Sequence, residues 1–189
     1  MTPETLTGGF AAAPTDSARA FRAILDALAR PGTIRRVEGA APPAPLSPAA
    51  GAVALTLLDG TTPVHLAGDH DTRALRDWLT FHTGAPLVDA GGASFAFGTW
   101  EALLPLDRFA IGTPDYPDRA ATLVIDLPDL RPAGATLQGP GIKGEAFLSL
   151  PDTAPFIANR ALFPLGFDAF LTCGHGIAGL PRSTIVRDA

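Results

Sequence analysis

The sequence predicts an α/β fold, a three-layer α/β/α sandwich around a mixed sheet, formed as a single domain over residues 1–189. Three observations carry this expectation. Helical periodicity dominates the first half of the chain and extended segments the second. The stretch 121–127 is a nearly continuous apolar run rich in β-branched residues, the pattern of a strand covered on both faces and therefore placed mid-sheet. No internal repeat and no domain-separating linker interrupts the 189 residues, a length that suits one core.

Each element has a local cause. Phe21, Ile24, Leu25 and Leu28 recur at helical spacing behind a capping Thr15 or Asp16, and Pro31-Gly32 ends that first helix just past Arg30. Residues 33–38 read as a short strand, followed by a proline-rich connection over 40–45 that cannot hold a ladder. Ser47-Pro48 pairs an N-cap with proline at the first helical position, opening a second helix that Asp59-Gly60 terminates. After a strand over 63–66, Asp71 caps a third helix with Leu75, Trp78, Leu79 and His82 on one face and Gly84 at its left-handed end.

Extended segments follow at 86–88 and 94–97, and Pro105 breaks the stretch 100–109 into short helical turns. Residues 134–138 and 145–150 flank a Gly-Pro-Gly turn, and Asp152 caps a proline-bearing helix to about Leu162. Residues 168–173 and 177–180 then form a strand and its return across Gly174-His175-Gly176.

Composition narrows the function classes. The formal charge is −5, with thirteen arginines against the single Lys143 and 15 aspartates among the 19 acids. An acidic chain without a basic run does not suit nucleic-acid backbone binding, which depends on clustered cations. The longest apolar stretches fall far short of the roughly 20 residues that span a bilayer. The N-terminus carries Glu4 and no positive charge before Arg19, unlike a secretory signal. One cysteine, Cys173, cannot form an intrachain disulfide, which fits a reducing compartment. A cytoplasmic protein with no nucleic-acid and no membrane partner is expected.

Several constellations invite chemical readings, each with a plainer alternative. Two Gly-x-Gly-x-x-Gly stretches, at 139–144 and 174–179, lack the following helix and acidic partner of a dinucleotide site and read as β turns whose glycines take positive φ. Lys143 lies between glycines beside Glu145, an exposed setting rather than the desolvated one a Schiff-base lysine needs. His65, Asp69, His70 and Asp71 are metal-ligand types, but a strand and a helix start would point them apart, so no metal site is expected. Cys173 and His175 read as a strand-end cysteine and its turn neighbour rather than a thiolate pair. His82 suits the negative end of the third helix, and Arg182 between Pro181 and Ser183-Thr184 suits either an oxyanion or an ion pair.

Taken together, Phe21-Arg22 with Pro31-Gly32, Leu55-Thr56-Leu57 with Asp59 and Thr62-Pro63-Val64, Phe81-His82-Thr83 with Ala85-Pro86-Leu87-Val88, Gly139-Pro140-Gly141-Ile142, Phe163-Pro164-Leu165-Gly166 with Asp168, and Pro181-Arg182-Ser183-Thr184 resemble the PhnH family of the bacterial carbon-phosphorus lyase system. The resemblance runs in order from about residue 15 to 187.

It implies a fold similar to the large domain of pyridoxal-phosphate-dependent transferases, used without that cofactor. It also implies a role in phosphonate catabolism beside the PhnG, PhnI and PhnJ subunits, and a homodimer in isolation. The step concerned forms α-D-ribose 1-methylphosphonate 5-triphosphate from ATP and methylphosphonate. The resemblance transfers no catalytic residue. Its polar motif members, Arg22, His82, Thr83, Asp168 and Arg182, are the ligand-binding candidates, each with a structural alternative as ion pair, cap or interface contact. Two functions follow: a structural or auxiliary subunit that tunes its neighbours through an apolar patch, or a small-molecule enzyme with its own nucleotide or phosphonate site at a dimer interface.

Overall fold

Parallel strands need crossover connections, and this chain supplies them with short helices and a second small sheet. The computed structural model describes residues 6–188; the N-terminal charge reading at Glu4 lies outside them. Its principal sheet has six strands: β1 (Arg35–Arg36), β2 (Val64–Leu66), β3 (Phe95–Thr99), β4 (Thr122–Asp126), β7 (Asp168–Cys173) and β8 (Gly176–Leu180). Their order is β1-β8-β7-β4-β3-β2, with β2, β3, β4 and β7 parallel and β8 and β1 antiparallel to their neighbours. The fold is α/β with a mixed sheet, and β4 lies inside it as its apolar run requires.

Side chains alternate between two cores across this sheet. Phe97, Val124, Phe170 and Ile177 face one core with the helices α1 (Ala13–Ala29), α2 (Pro48–Leu57) and α3 (Arg73–Thr83). Ala96, Leu123, Ile125, Ala169, Leu171 and Ala178 face the other. That second face is covered by α4 (Trp100–Leu103), α5 (Ala154–Ala161) and a three-stranded antiparallel sheet. Its strands are β5 (Ala135–Gln138), β6 (Ala146–Leu148) and β9 (Ile185–Arg187), in the order β6-β5-β9. The outer layer on this side is therefore partly β, where the three-layer α/β/α expectation places helices alone.

Other expectations are corrected in detail. α1 begins at Ala13, and Asp16 reaches back to accept the backbone N–H of Ala12 at 2.9 Å instead of capping from its own position. Its core face is Ala20, Ile24 and Ala27, while Phe21 and Leu25 are exposed. The end of this helix approaches the sheet closely: a Cβ on Gly179 of β8 would lie 2.5 Å from Leu28 Cα, so any side chain there would push α1 away. In the segment 174–179 only Gly174 takes positive φ; Gly179 is a strand glycine against a helix, not a turn glycine. In the segment 139–144 all three glycines take positive φ.

Helix α3 is capped by Thr72, whose Oγ1 accepts from Leu75 N at 3.2 Å, while Asp71 pairs with Arg76. Gly84 ends α3 at φ 69°, and the Ser47 hydroxyl caps α2 by accepting from Ala50 N at 3.1 Å. Asp152 accepts from Ala154 N at 3.1 Å, but the residue preceding α5 is Thr153. Among the described residues no helix is long and apolar enough to cross a membrane.

Candidate functional site

The C-terminal ends of parallel strands are where α/β sheets hold ligands, because the connecting loops open a crevice there. Here Thr99, Asp126 and Thr172 stand side by side at the ends of β3, β4 and β7. Asp126 is the centre of this row. Its Oδ1 accepts from the Thr172 hydroxyl at 2.6 Å, and its Oδ2 accepts from Ser47 N and from His70 Nε2, each at 3.0 Å. One carboxylate thus ties a strand, the N-terminus of α2 and the turn after β2. Burial works to raise its pKa, but the hydrogen bonds from His70, Ser47 and Thr172 together outweigh burial and hold it below the usual carboxylate value.

Thr99 and Asp126 of this row line a cavity of about 760 Å³, within the range of small-molecule sites, with Thr172 buried behind them. The polar lining includes Ser47, His70, Thr99, Glu101, Asp126 and Ser149, and Trp100, Leu127 and Leu150 supply apolar surface. Ser47, His70 and Asp126 are the residue types of a hydrolytic triad, but their connections differ. Ser47 gives its backbone N–H to the carboxylate and its Oγ caps α2, so it is not joined to the imidazole as a nucleophile to its base. What the site holds is an oriented imidazole on an acceptor-rich wall.

The sequence-predicted residues lie elsewhere, in three separate places. Arg22 is exposed on the outer side of α1. His82 and Thr83 end α3: the His82 ring packs against Trp78 and Phe81 at 5.0 and 4.9 Å and its Nε2 donates to Thr7 O at 3.2 Å. The Thr83 hydroxyl donates to Leu79 O at 2.7 Å and accepts from Ala85 N.

Asp168 and Arg182 do meet, at the opposite end of β7 from Thr172. The guanidinium grips the carboxylate with Nη2 at 2.6 Å and Nε at 3.1 Å, and Nη1 donates to Pro117 O at 2.7 Å. This fork-shaped pairing is the geometry that arginine forms with a carboxylate or an oxyanion, here filled by the chain itself.

The remaining constellations also come apart. His65 Nδ1 contacts Val88 O, Asp69 is exposed, His70 joins Asp126 and Asp71 joins Arg76. Among the described residues no group of three His, Cys, Asp or Glu is placed to hold a metal ion. Cys173 contacts Pro128 O, and His175 contacts Val37 O, so the two are not a pair. Lys143 is exposed in the turn between β5 and β6 and does not line the cavity.

Sequence reasoning missed Asp126. Its signal was an acid closing an otherwise apolar strand, a charge that must find partners if the strand is buried.

A second concavity is apolar. A groove of about 520 Å³ between α5 and the segment after α4 is lined by Leu104, Leu106, Phe109, Ile111, Leu162 and Phe167 among others. Leu104 and Leu162 are exposed in it, and Ile157 and Phe163, on and just after α5, are exposed as well.

Residues 8–187 match the family described as "Bacterial phosphonate metabolism protein (PhnH)". The chain is 42% identical over 187 residues, 94% of each chain, to a protein of Rhizobium meliloti (strain 1021) named alpha-D-ribose 1-methylphosphonate 5-triphosphate synthase subunit PhnH. It is 29% identical over 204 residues, 95% of each chain, to a Stutzerimonas stutzeri protein named putative C-P lyase subunit protein HtxG.

Proposed function

Because the chain belongs to the PhnH family of bacterial phosphonate metabolism proteins, we propose that it is a subunit of a carbon-phosphorus lyase complex. In this reading it serves the formation of α-D-ribose 1-methylphosphonate 5-triphosphate as a structural or auxiliary member. Its partners are PhnG, PhnI and PhnJ subunits in the cytoplasm, and in isolation it pairs with a second copy of itself. The family's likeness to the large domain of pyridoxal-phosphate-dependent transferases belongs to the same proposal.

The observation that carries the auxiliary role is the apolar groove beside α5. Exposed leucines at a concave surface cost solvation unless another chain covers them, and a contiguous apolar patch is what a docking subunit presents. The alternative, an enzyme with its own phosphonate site, relied on Arg182 to hold an oxyanion. That guanidinium is turned to Asp168 and Pro117, which favours the docking role. Of the five motif residues, Arg22 is the exposed charged side chain, and we assign it to a partner contact.

Co-expression of the tagged chain with the PhnG, PhnI and PhnJ subunits of its host tests this. The wild-type chain is expected to co-purify with them, and Leu162→Asp to reduce the captured partners at least tenfold while leaving the circular dichroism spectrum unchanged. A wild-type chain that captures no partner contradicts the subunit role. Undiminished capture by Leu162→Asp contradicts the groove as the docking surface.

A further inference from the structure

We propose that the exposed face of α5 receives an α-helix of another protein chain, one whose contact side is apolar and carries a lysine or arginine that meets Asp107. The proposal rests on the subunit reading above and specifies the segment that docks.

A helix at a protein surface ordinarily turns polar side chains to water. α5 (Ala154–Ala161) does the reverse. Ala154, Ile157, Ala158 and Ala161 are its exposed residues, and the exposed chain continues through Leu162, Phe163 and Pro164 without a polar side chain. Ile157, Leu162 and Phe163 are 41–51% exposed. The two polar residues of the helix are turned inward. Asn159 is buried, donating to Phe167 O at 2.8 Å and accepting from Phe167 N at 2.9 Å. The Arg160 guanidinium lies 4.9 Å over the Phe163 ring, with Nε buried. Covering such a face removes apolar surface from water, which favours association.

The shape of the face selects a helix. Ala154, Ala158 and Ala161 are spaced so that they stand in one row along α5. Their methyl side chains leave a shallow channel, with the larger Ile157 on one side and Leu162 on the other. A second helix can lie in such a channel with its axis about 8 Å away, the close end of helix packing distances. Beyond Leu162 the channel opens into the groove of about 520 Å³, whose far wall is Leu104, Leu106 and Phe109. That depth takes the larger apolar side chains of the incoming helix.

Charge selects the sequence of that helix. Asp107 is the charged residue that lines the groove. It is exposed, and among the described residues its carboxylate has neither a hydrogen bond nor an ion pair. A helix that covered it with apolar side chains alone would strip water from an unpaired carboxylate, whereas a lysine or arginine at that point offsets the cost. A second copy of this chain does not supply one: α5 set against α5 brings another Asp107, while Arg160 is held over Phe163. The cation therefore comes from a different chain.

Co-expression of the tagged chain with the PhnG, PhnI and PhnJ subunits separates this proposal from the reading it rests on. Asp107 and Ala158 are exposed, so Asp107→Lys and Ala158→Phe should keep the wild-type circular dichroism spectrum. Each is expected to reduce the captured partners at least tenfold. p-Benzoylphenylalanine in place of Ile157 is expected to cross-link, on irradiation, to a partner peptide that contains a lysine or arginine and whose apolar residues recur at helical spacing. A wild-type chain that captures no partner overturns the subunit reading and this proposal together. Wild-type capture that is undiminished in Asp107→Lys or in Ala158→Phe overturns this proposal alone. So does a cross-link that fails to form, or one that joins an acidic segment or a second copy of this chain.

Discussion

Asp126 closes β4 with a charge that burial would ordinarily forbid, and three donors from three different elements make it tolerable. Because its folded pKa is depressed, its contribution to stability is fully present above the ordinary aspartate value and is lost as pH falls through the folded value. Asp126→Asn is expected to destabilise the chain at neutral pH by about 2–3 kcal/mol. It should also lose less stability than the wild type on acidification below about pH 5. Urea unfolding across that range measures both, and an equally steep acid limb in the variant contradicts the assignment.

Residue by residue, the sequence was partly legible. Asp168 and Arg182 stood out as polar members of their motifs, but what joins them is the hairpin register of the structure: Ala169 pairs with Leu180, which puts 168 opposite 181 and beside 182. His70 stood out for the wrong reason, as a metal-ligand type, because its partner Asp126 lies 56 residues away.

At the level of elements, caps and breakers were readable because they act within a few residues: Ser47-Pro48 opens α2 and Gly84 ends α3. The face of α1 was not, since periodicity locates an apolar stripe but not the surface that receives it. The buried face is Ala20, Ile24 and Ala27, with Phe21 and Leu25 outward, and Gly179 lets the last turns of α1 at Ala27 and Leu28 lie against β8. The β9 strand was likewise invisible locally, because its partner β5 ends 47 residues before it begins.

Gly179→Ala would place a methyl 2.5 Å from Leu28 Cα and force the helix off the sheet. A loss of about 1–3 kcal/mol is expected, measured as a lower denaturation midpoint at unchanged slope. A midpoint equal to that of the wild type would show that α1 does not rest on β8 so closely.

For the molecule as a whole, two cores on either side of one mixed sheet leave two concavities with opposite characters. The groove beside α5 is lined largely by apolar side chains, and the cavity at the strand ends carries the carboxylates Glu101, Asp126 and Asp129. The fold class was legible because alternation and apolar runs report burial directly, whereas the division of labour between the concavities depends on side chains brought together from distant segments. Family membership joins this architecture to phosphonate use. The most direct measurement is growth of the host, with this gene deleted, on methylphosphonate as sole phosphorus source. The account predicts no growth on methylphosphonate, normal growth on phosphate, and rescue by a plasmid copy. Growth of the deletion strain at the wild-type rate on methylphosphonate would contradict it.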